Sequence, residues 1–403
     1  MRRSGSADLP LHNGQVPKWL YERMAKLGFA ITEAILLEYG RQSYLSRLSD
    51  PFWFQSFGAV MGMDWHSSGI TTSVMGALKR AINPHSKELG IYICGGKGKF
   101  SREAPNELLR LGEQTGLDGN ELVRCSKLSA KVDNTAVQDG FQLYLHNFIV
   151  STDGDWAVVQ QGMSEGTSMA RRYHWHSANV KSFVEEPHTG ITGINQGMIL
   201  NLTASEANDT RGSMMDLTKE KPELMMQEMQ HLLMPSHHDV RSKDVDLKRL
   251  GTALWLAHEN QPKDFEDLLL LQGVGPRTIQ SLALVSEVVH GTPSRFKDPA
   301  RFSFAHGGKD GHPFPVPTRT YDEVIETLQN AVRKAKLGNA DKSVALKKIH
   351  EIAIKAEKNF TPTDNLQQVI EKEINDSWKY GGKTIFGDAK PPKKNKGVQL
   401  RLF

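Results

Sequence analysis

Aspartate and histidine side chains recur in the N-terminal part of the chain at positions that could bind a divalent cation. Carboxylate oxygens are ligands that Mg²⁺ and Mn²⁺ prefer, and a bound cation can activate a water molecule for hydrolysis. The same residue types also cap helices and populate solvated loops, so the chemistry depends on whether they converge in space. The sequence therefore predicts a Mg²⁺ or Mn²⁺ site with the candidate ligands Asp8, His12, Asp64, Asp133 and Asp139.

A glycine- and lysine-rich loop follows an apolar strand in residues 89–100, LGIYICGGKGKF. Its backbone N–H groups and Lys97 could contact a phosphate. The loop lacks the GxxxxGK[ST] spacing of a nucleotide-binding P-loop, and a plain glycine turn with solvated lysines is the alternative. With the loop included, the predicted catalytic set is Asp64, His66, Lys97, Asp133 and Asp139.

Residues 264–291, DFEDLLLLQGVGPRTIQSLALVSEVVHG, predict two helices joined by a tight glycine turn. Glycines permit the turn, and the amide groups at the start of the second helix could hold an anion. The core LLQGVGPRTIQSLA resembles the helix-hairpin-helix family, which implies that the segment binds DNA phosphates; an ordinary helical hairpin is the alternative. The predicted DNA-binding residues are Gly273, Val274, Gly275, Arg277 and Thr278.

The last residues, KPPKKNKGVQLRLF, combine a basic linker with a short apolar end. Apolar side chains at the end of a flexible linker are typical of a peptide that binds a pocket on a partner. The end resembles the peptide that binds the bacterial β sliding clamp, which implies clamp contacts by Gln399, Leu400, Leu402 and Phe403. The alternative is a C-terminal strand that packs on its own domain.

The elements that would position these residues predict an α+β fold. Apolar residues at helical spacing predict helices at about 17–39 and 71–82, whereas apolar runs at 141–150 and 156–161 predict two strands joined by a turn. We expect a mixed N-terminal domain with a small antiparallel sheet, then a helical domain and a flexible tail. The predicted ranges are a catalytic domain at 1–190, a connecting segment at 191–245, a helical DNA-binding domain at 246–380 and a tether at 381–403.

Five segments indicate a wider resemblance: RRSGSADLPLHNG, GMDWHSSGITTSV, ICGGKGKFSRE, KVDNTAVQDGFQLY and DWAVVQQGMS. Together they resemble a prokaryotic family catalogued as domain of unknown function 763. The resemblance covers most of residues 1–320. It implies relatives but no settled activity, so no catalytic role follows from it.

The amino-acid composition indicates the cellular compartment of the protein more than its function. The chain has 403 residues, two cysteines and a formal net charge of +4. Two cysteines do not make a disulfide framework, and no apolar run resembles a signal peptide or a membrane span. We therefore expect a cytoplasmic, nucleoid-associated protein without a membrane partner.

These features predict a DNA-repair protein, specifically a metal-dependent endonuclease that nicks damaged or structured double-stranded DNA and is recruited by the sliding clamp. A monofunctional helix-hairpin-helix DNA glycosylase is one alternative; Asp298 lies downstream of the hairpin at roughly the separation, but not in the register, that the resemblance implies for a catalytic aspartate. Arg277 stands where lyase-type enzymes of that class carry a nucleophilic lysine, which disfavours a lyase. A non-catalytic adaptor that binds DNA and the clamp is the other alternative.

Overall fold

The computed structural model describes residues 18–63, 69–164, 169–223, 247–301 and 318–358, together with the pairs 383–384 and 387–388. Its helices are α1 (Lys18–Leu48), α2 (Pro51–Val60), α3 (Ile70–Ile82), α4 (Ser86–Leu89), α5 (Lys99–Thr115), α6 (Gly119–Lys131), α7 (Asn208–Lys219), α8 (Leu247–Asn260), α9 (Phe265–Leu270), α10 (Pro276–His290), α11 (Thr318–Lys334) and α12 (Asn339–Lys358). Its strands are β1 (Ile91–Lys97), β2 (Val137–Gln138), β3 (Gln142–Ser151), β4 (Trp156–Met163), β5 (Ala170–His176), β6 (His188–Thr192), β7 (Met198–Asn201), β8 (Arg295–Lys297), β9 (Lys383–Thr384) and β10 (Gly387–Asp388). The predicted α+β class is confirmed.

A five-stranded antiparallel sheet with strand order β1-β3-β4-β5-β6 forms the centre of the fold. Strands β4 and β5 are buried along nearly their whole length, because helices cover both faces of the sheet. One face carries Ile149 and Val159, which share a core with α1, α2, α3, α11 and α12; we call it the α1 face. The other face carries Phe148, Val158 and Trp175, which share a core with α5 to α10; we call it the α6 face.

Helix α2 lies entirely inside the protein. Asp50 caps it by accepting a hydrogen bond from the Trp53 N–H, and Pro51 occupies its first turn. All 10 residues of the helix are buried, which its nearly uniform apolar sequence PFWFQSFGAV permits. The helix fixes the chain between α1 and α2 against β5, since the backbone oxygens of Leu48 and Pro51 bond to side chains of that strand.

Five residues in register cross the sheet at one end, and we call this line the Lys97 row. Lys97 pairs with Leu145, Leu145 with Gln161, Gln161 with Arg172, and Arg172 with Thr192. Directly opposed residues of neighbouring strands project to the same face. Leu145 is four residues from Ile149 on β3, and Gln161 is two residues from Val159 on β4. Because side chains an even number of residues apart on a strand point to the same face, the row lies on the α1 face.

Packing joins the predicted regions. The boundary predicted at residue 190 falls inside β6, and the predicted connecting segment contains β7 and α7. A second sheet, β2-β7-β8, links residues 137–138 to residues 295–297. Helices α8 to α10 share the core of the α6 face and pack against α6 and α7, so the helices assigned to a DNA-binding domain join the core of the N-terminal sheet.

Two predictions concern the tail and the membrane. The predicted clamp-binding residues Gln399, Leu400, Leu402 and Phe403 lie outside the described residues. Among the helices that the structure describes, none combines the length and apolar character needed to cross a bilayer.

Candidate functional site

Asp133 lies on a single π-helical turn, Val132–Ala136, that continues α6. Asp118 begins α6 by accepting hydrogen bonds from the N–H groups of Asn120 and Glu121. A π turn inserts extra backbone into a helix, and such turns are rare and frequent at functional sites. The turn holds the Asp133 side chain against the α6 face of the sheet, where it is fully buried.

Three side chains of the sheet contact the Asp133 carboxylate. Trp175 Nε1 donates to Oδ2 over 2.9 Å, Gln160 Nε2 donates to the same oxygen, and His188 Nε2 contacts Oδ1. The His188 side chain is 6% exposed and its ring lies 4.5 Å from the Trp175 ring. Within the described residues His188 Nδ1 has no hydrogen-bond partner. A carboxylate on one imidazole nitrogen orients the ring and leaves the other nitrogen for proton transfer.

The hydrogen bonds continue from Gln160 along the same face of the sheet to helix α6. His146 Nδ1 lies 2.7 Å from Gln160 Oε1, and His146 Nε2 lies 2.8 Å from Ser126 Oγ. Because an amide oxygen accepts, His146 donates from Nδ1 and accepts the Ser126 proton at Nε2. Burial lowers the pKa of His146, so the ring is neutral near pH 7. We call Ser126, His146, Gln160, Asp133 and His188 the Asp133 network.

Asp139 belongs to a separate ionic cluster on the same face. Its Oδ2 accepts from Arg171 Nη1 over 3.0 Å and from the Tyr173 hydroxyl over 2.7 Å, and its Oδ1 accepts from the Phe141 N–H. Arg171 also bonds both oxygens of Asp298, at 3.0 and 2.9 Å. Burial raises the pKa of Asp139, and Arg171 opposes that shift. Two buried carboxylates therefore share one guanidinium.

The two predicted carboxylates come close together without forming one open cation site. Asp133 bonds Trp175 and Asp139 bonds Tyr173, and these two residues point to the same face of β5. Each carboxylate already accepts hydrogen bonds at both oxygens or contacts an imidazole, so a cation bound here would replace those donors. In the described part of the chain no group of three or more His, Cys, Asp or Glu side chains has metal-site geometry. The other candidates, Asp8, His12, Asp64 and His66, lie outside the described residues.

Lys97 lies apart from these carboxylates. It belongs to the Lys97 row on the α1 face, whereas Asp133 and Asp139 lie on the α6 face. Its exposed ammonium lies 5.8 Å from the ring centre of Tyr144. The predicted glycine loop is part of β1 as far as Lys97, and Glu107 fixes it by accepting from the Gly95 N–H over 2.6 Å. A Cβ at Gly95 would lie 2.2 Å from the backbone oxygen of His146, so only glycine fits there.

Helices α9 and α10 and the turn between them form the hairpin that the sequence predicts at residues 264–291. Asp264 caps α9 by accepting from the Asp267 N–H over 2.9 Å. Gly273 has φ +88°, a conformation that favours glycine, and Gly275 precedes α10 with no atom within 4 Å of the position of an added Cβ. Arg277 is exposed, whereas Thr278 is buried, so the predicted side-chain donor at Thr278 points into the core.

Two side chains fix the hairpin turn to the segment that carries Asp133. Lys131 Nζ donates to the Val274 oxygen over 2.6 Å, and Gln138 Nε2 donates to the Pro276 oxygen over 2.7 Å. Partial burial lowers the pKa of Lys131. Because Lys131 and Gln138 precede and follow the π turn, the hairpin and the Asp133 network have a defined relative position.

Sequence reasoning did not find several residues of the site. His188 lies in a stretch that showed no regular pattern, and Arg171, Tyr173 and Trp175 alternate with His174 and His176 on β5. Successive side chains of a strand point to opposite faces of its sheet, so this alternation is the signal that could have separated the two histidines from the other three residues. Gln160 and His146 are directly opposed across β3 and β4, which only the strand register shows.

Comparison with known families gives one match. Residues 5–316 match the family described as protein of unknown function (DUF763). No curated protein and no solved structure matches the chain.

Proposed function

Because the chain belongs to the DUF763 family of proteins of unknown function, we propose its function from its own residues: it is a DNA-repair endonuclease. The hairpin binds the backbone of double-stranded DNA, and the Asp133 network supplies the chemistry. One observation carries the proposal: Lys131 and Gln138 bond the hairpin turn on either side of the segment that presents Asp133.

The hairpin supplies the DNA-binding part of the proposal. The start of α10 presents backbone N–H groups with the positive end of a helix dipole, and the open space at Gly275 lets a phosphate approach the backbone. Exposed Arg277 adds a charged donor at the same turn. Contacts of this kind hold DNA without reading its sequence, so specificity for damage or structure must come from elsewhere on the protein.

The His188–Asp133 pair supplies the proton chemistry. Hydrolysis of a phosphodiester needs a base that takes a proton from the attacking water. Because the Asp133 carboxylate accepts from His188 Nε2, Nδ1 is the ring nitrogen that can take that proton. The predicted metal dependence is part of the proposal, with Asp8, His12, Asp64, Asp133 and Asp139 as candidate ligands for Mg²⁺ or Mn²⁺.

Recruitment by the β sliding clamp is proposed from the C-terminal sequence. Gln399, Leu400, Leu402 and Phe403 follow a basic linker, an arrangement that suits a tethered peptide. Clamp binding would concentrate the protein at replicated or repaired DNA and place it in the nucleoid. Deletion of residues 399–403 should abolish binding to purified clamp while leaving DNA binding unchanged.

The test uses end-labelled duplexes that carry uracil, hypoxanthine, an abasic site, a ribonucleotide, a mismatch or a flap. Each is incubated with the full chain in Mg²⁺, in Mn²⁺ and in EDTA. We expect a metal-dependent nick in one class of substrate. His188→Gln should lower the cleavage rate by about 10²- to 10⁴-fold, the usual effect of losing a general base, with DNA affinity retained. Exposed His85→Gln is the matched control and should cleave normally.

The burial of every described carboxylate in the candidate site favours a second function, a non-catalytic adaptor that binds DNA and the clamp. If all substrates bind, none is cut and alkali reveals no abasic product, the adaptor is the better account. A glycosylase gains less support, since Asp298 is paired with Arg171 and also accepts from the N–H groups of Gln196 and Ala300. Abasic product with an intact backbone would nevertheless establish it.

A further inference from the structure

Arg172, at the inner part of the Lys97 row, is a buried cation among neutral groups. The residue is 3% exposed, and its Nε donates to His174 Nε2 over 2.7 Å. Its Nη1 and Nη2 make longer contacts, 3.3 Å to Thr71 Oγ1 and 3.4 Å to the Pro51 oxygen. Its guanidinium carbon lies 4.7 Å from the ring centre of Phe54. No carboxylate in the described residues pairs with it.

The adjacent Arg171 shows what a buried guanidinium ordinarily requires. Arg171 points to the α6 face and bonds the carboxylates of Asp139 and Asp298. Arg172 points to the α1 face and has no such partner among the described side chains, and burial lowers its pKa to about 9. An unpaired buried charge is costly, so an arginine retained in such a place indicates an anion that binds there.

Two threonine hydroxyl groups lie on the same side of the sheet as Arg172. Thr192 is directly opposed to Arg172 across β5 and β6, and its buried Oγ1 has no hydrogen-bond partner in the described part of the chain. Thr71 lies in the first turn of the 13-residue helix α3, which has no acidic residue in that turn. The free N–H groups of a helix start carry partial positive charge and favour an oxyanion. A cation, two hydroxyl groups and a helix start therefore lie on one side of the sheet, and Thr71 contacts the Arg172 guanidinium.

We propose that Arg172, Thr71 and Thr192 bind a phosphate group at the start of α3. The arginine fork matches phosphate oxygens, and the hydroxyl groups can donate to the remaining ones. A buried guanidinium cannot reach the backbone phosphate of an intact duplex, which is flanked by a sugar on both sides, so the ligand is a phosphate monoester. The choice of ligand rests on the proposed function: the phosphate monoester is the phosphorylated end of a nicked DNA strand. Inorganic phosphate has the same chemistry and could bind in its place.

Thermal unfolding of the full chain tests the site. Inorganic phosphate should raise the melting temperature more than sodium chloride at equal ionic strength, and Arg172→Met should remove the phosphate-dependent part. Thr192→Val provides a second variant that keeps the side-chain shape. It should raise the melting temperature without phosphate, because it removes an unpartnered buried hydroxyl, and weaken apparent phosphate binding about tenfold. No phosphate response in the wild type, or an unchanged response in both variants, would overturn the site.

Oligonucleotides distinguish the two sources of phosphate. A single strand with a 5′-phosphate or a 3′-phosphate should stabilise the protein more than the same strand with hydroxyl ends, and Arg172→Met should abolish the difference. A response to inorganic phosphate without any preference between strand ends would overturn the strand-end ligand. Gly275→Ala separates this proposal from the proposed function, since it should weaken duplex binding and leave the phosphate response intact.

Discussion

At the scale of single residues, the two neighbouring arginines of β5 show how one strand serves two different polar sites. Arg171 neutralises two carboxylates on the α6 face, whereas Arg172 contacts neutral acceptors on the α1 face. The difference follows from strand geometry, because successive side chains point to opposite faces. His174, two residues from Arg172, must supply a lone pair to it. That requirement connects the protonation of one histidine to the stability of the fold.

His174→Gln should make the protein's stability less dependent on pH. His174 Nδ1 lies 3.0 Å from the Leu48 oxygen and Nε2 accepts from Arg172, so the folded state needs the neutral ring. Burial, reinforced by Arg172, lowers the pKa of His174 well below the ordinary histidine value of 6.5. Below that value the unfolded chain gains a proton that the folded chain excludes, so stability falls as pH falls from 6.5 towards the folded-state pKa.

The free energy of unfolding should fall by about 1.4 kcal/mol per such histidine between about pH 7.5 and pH 5.5, as linkage gives for a group with this unfolded pKa. Urea unfolding at the two pH values measures it. His174→Gln should be less stable than the wild type at the higher pH but lose less on acidification. An equal loss in both proteins would show that His174 is not held neutral.

At the scale of elements, the sequence predicted the type of each helix and strand better than it predicted how these elements pack together. Asp264, the two glycines and Pro276 fix the hairpin locally, so its two helices follow from spacing alone. The π turn at Asp133 has no such local signature, since it results from how α6 meets the sheet. The pairing of Arg171 with Asp298 joins residues 127 positions apart, which no periodicity reveals. The burial of Asp133 and Asp139 thus depends on tertiary packing, which the spacing of residues in the sequence does not show.

Gly275→Ala should separate DNA binding from stability at the hairpin. Gly275 has extended backbone angles, φ −142° and ψ −175°, and an added Cβ meets nothing within 4 Å. Alanine therefore fits without strain and should change the free energy of unfolding by less than about 1 kcal/mol. The added methyl group covers the backbone that a phosphate would approach, so duplex affinity should fall about tenfold. Gly212→Ala, at another position with open space, is the control.

Lys131→Met tests whether the attachment of the hairpin matters for function. Methionine keeps much of the apolar stem but loses the 2.6 Å bond to the Val274 oxygen, so the turn should lose part of its fixed position. We expect a cleavage rate lowered about tenfold at saturating DNA, with a loss of stability of about 1 kcal/mol, the usual value of one hydrogen bond. Lys127→Met, one turn earlier on the same helix and exposed, is the matched control. Equal rates in the two variants would separate the hairpin from the chemistry.

At the scale of the whole molecule, the described helices of the predicted DNA-binding region have no separate core. Leu254, Leu268 and Ile279 belong to the same apolar cluster as Phe148 and Trp175 of the sheet. Helices α11 and α12 cover α1 and α2 on the opposite face through Leu328, Val332 and Ile349. The C-terminal helices therefore complete both cores of the N-terminal sheet.

This shared packing predicts that the full chain unfolds in one cooperative transition. A fragment of residues 246–403 would expose the apolar faces of α8 to α12 that α1, α2, α6 and α7 bury, and exposed apolar area costs about 25 cal/mol per Å². We expect the isolated fragment to lack a cooperative thermal transition by circular dichroism, and the full chain to show one midpoint by fluorescence and by circular dichroism. Two separated midpoints, or a fragment that folds and binds DNA alone, would instead establish independent domains. In that case the hairpin could move relative to Asp133, and the fixed geometry behind the proposed cleavage would be lost.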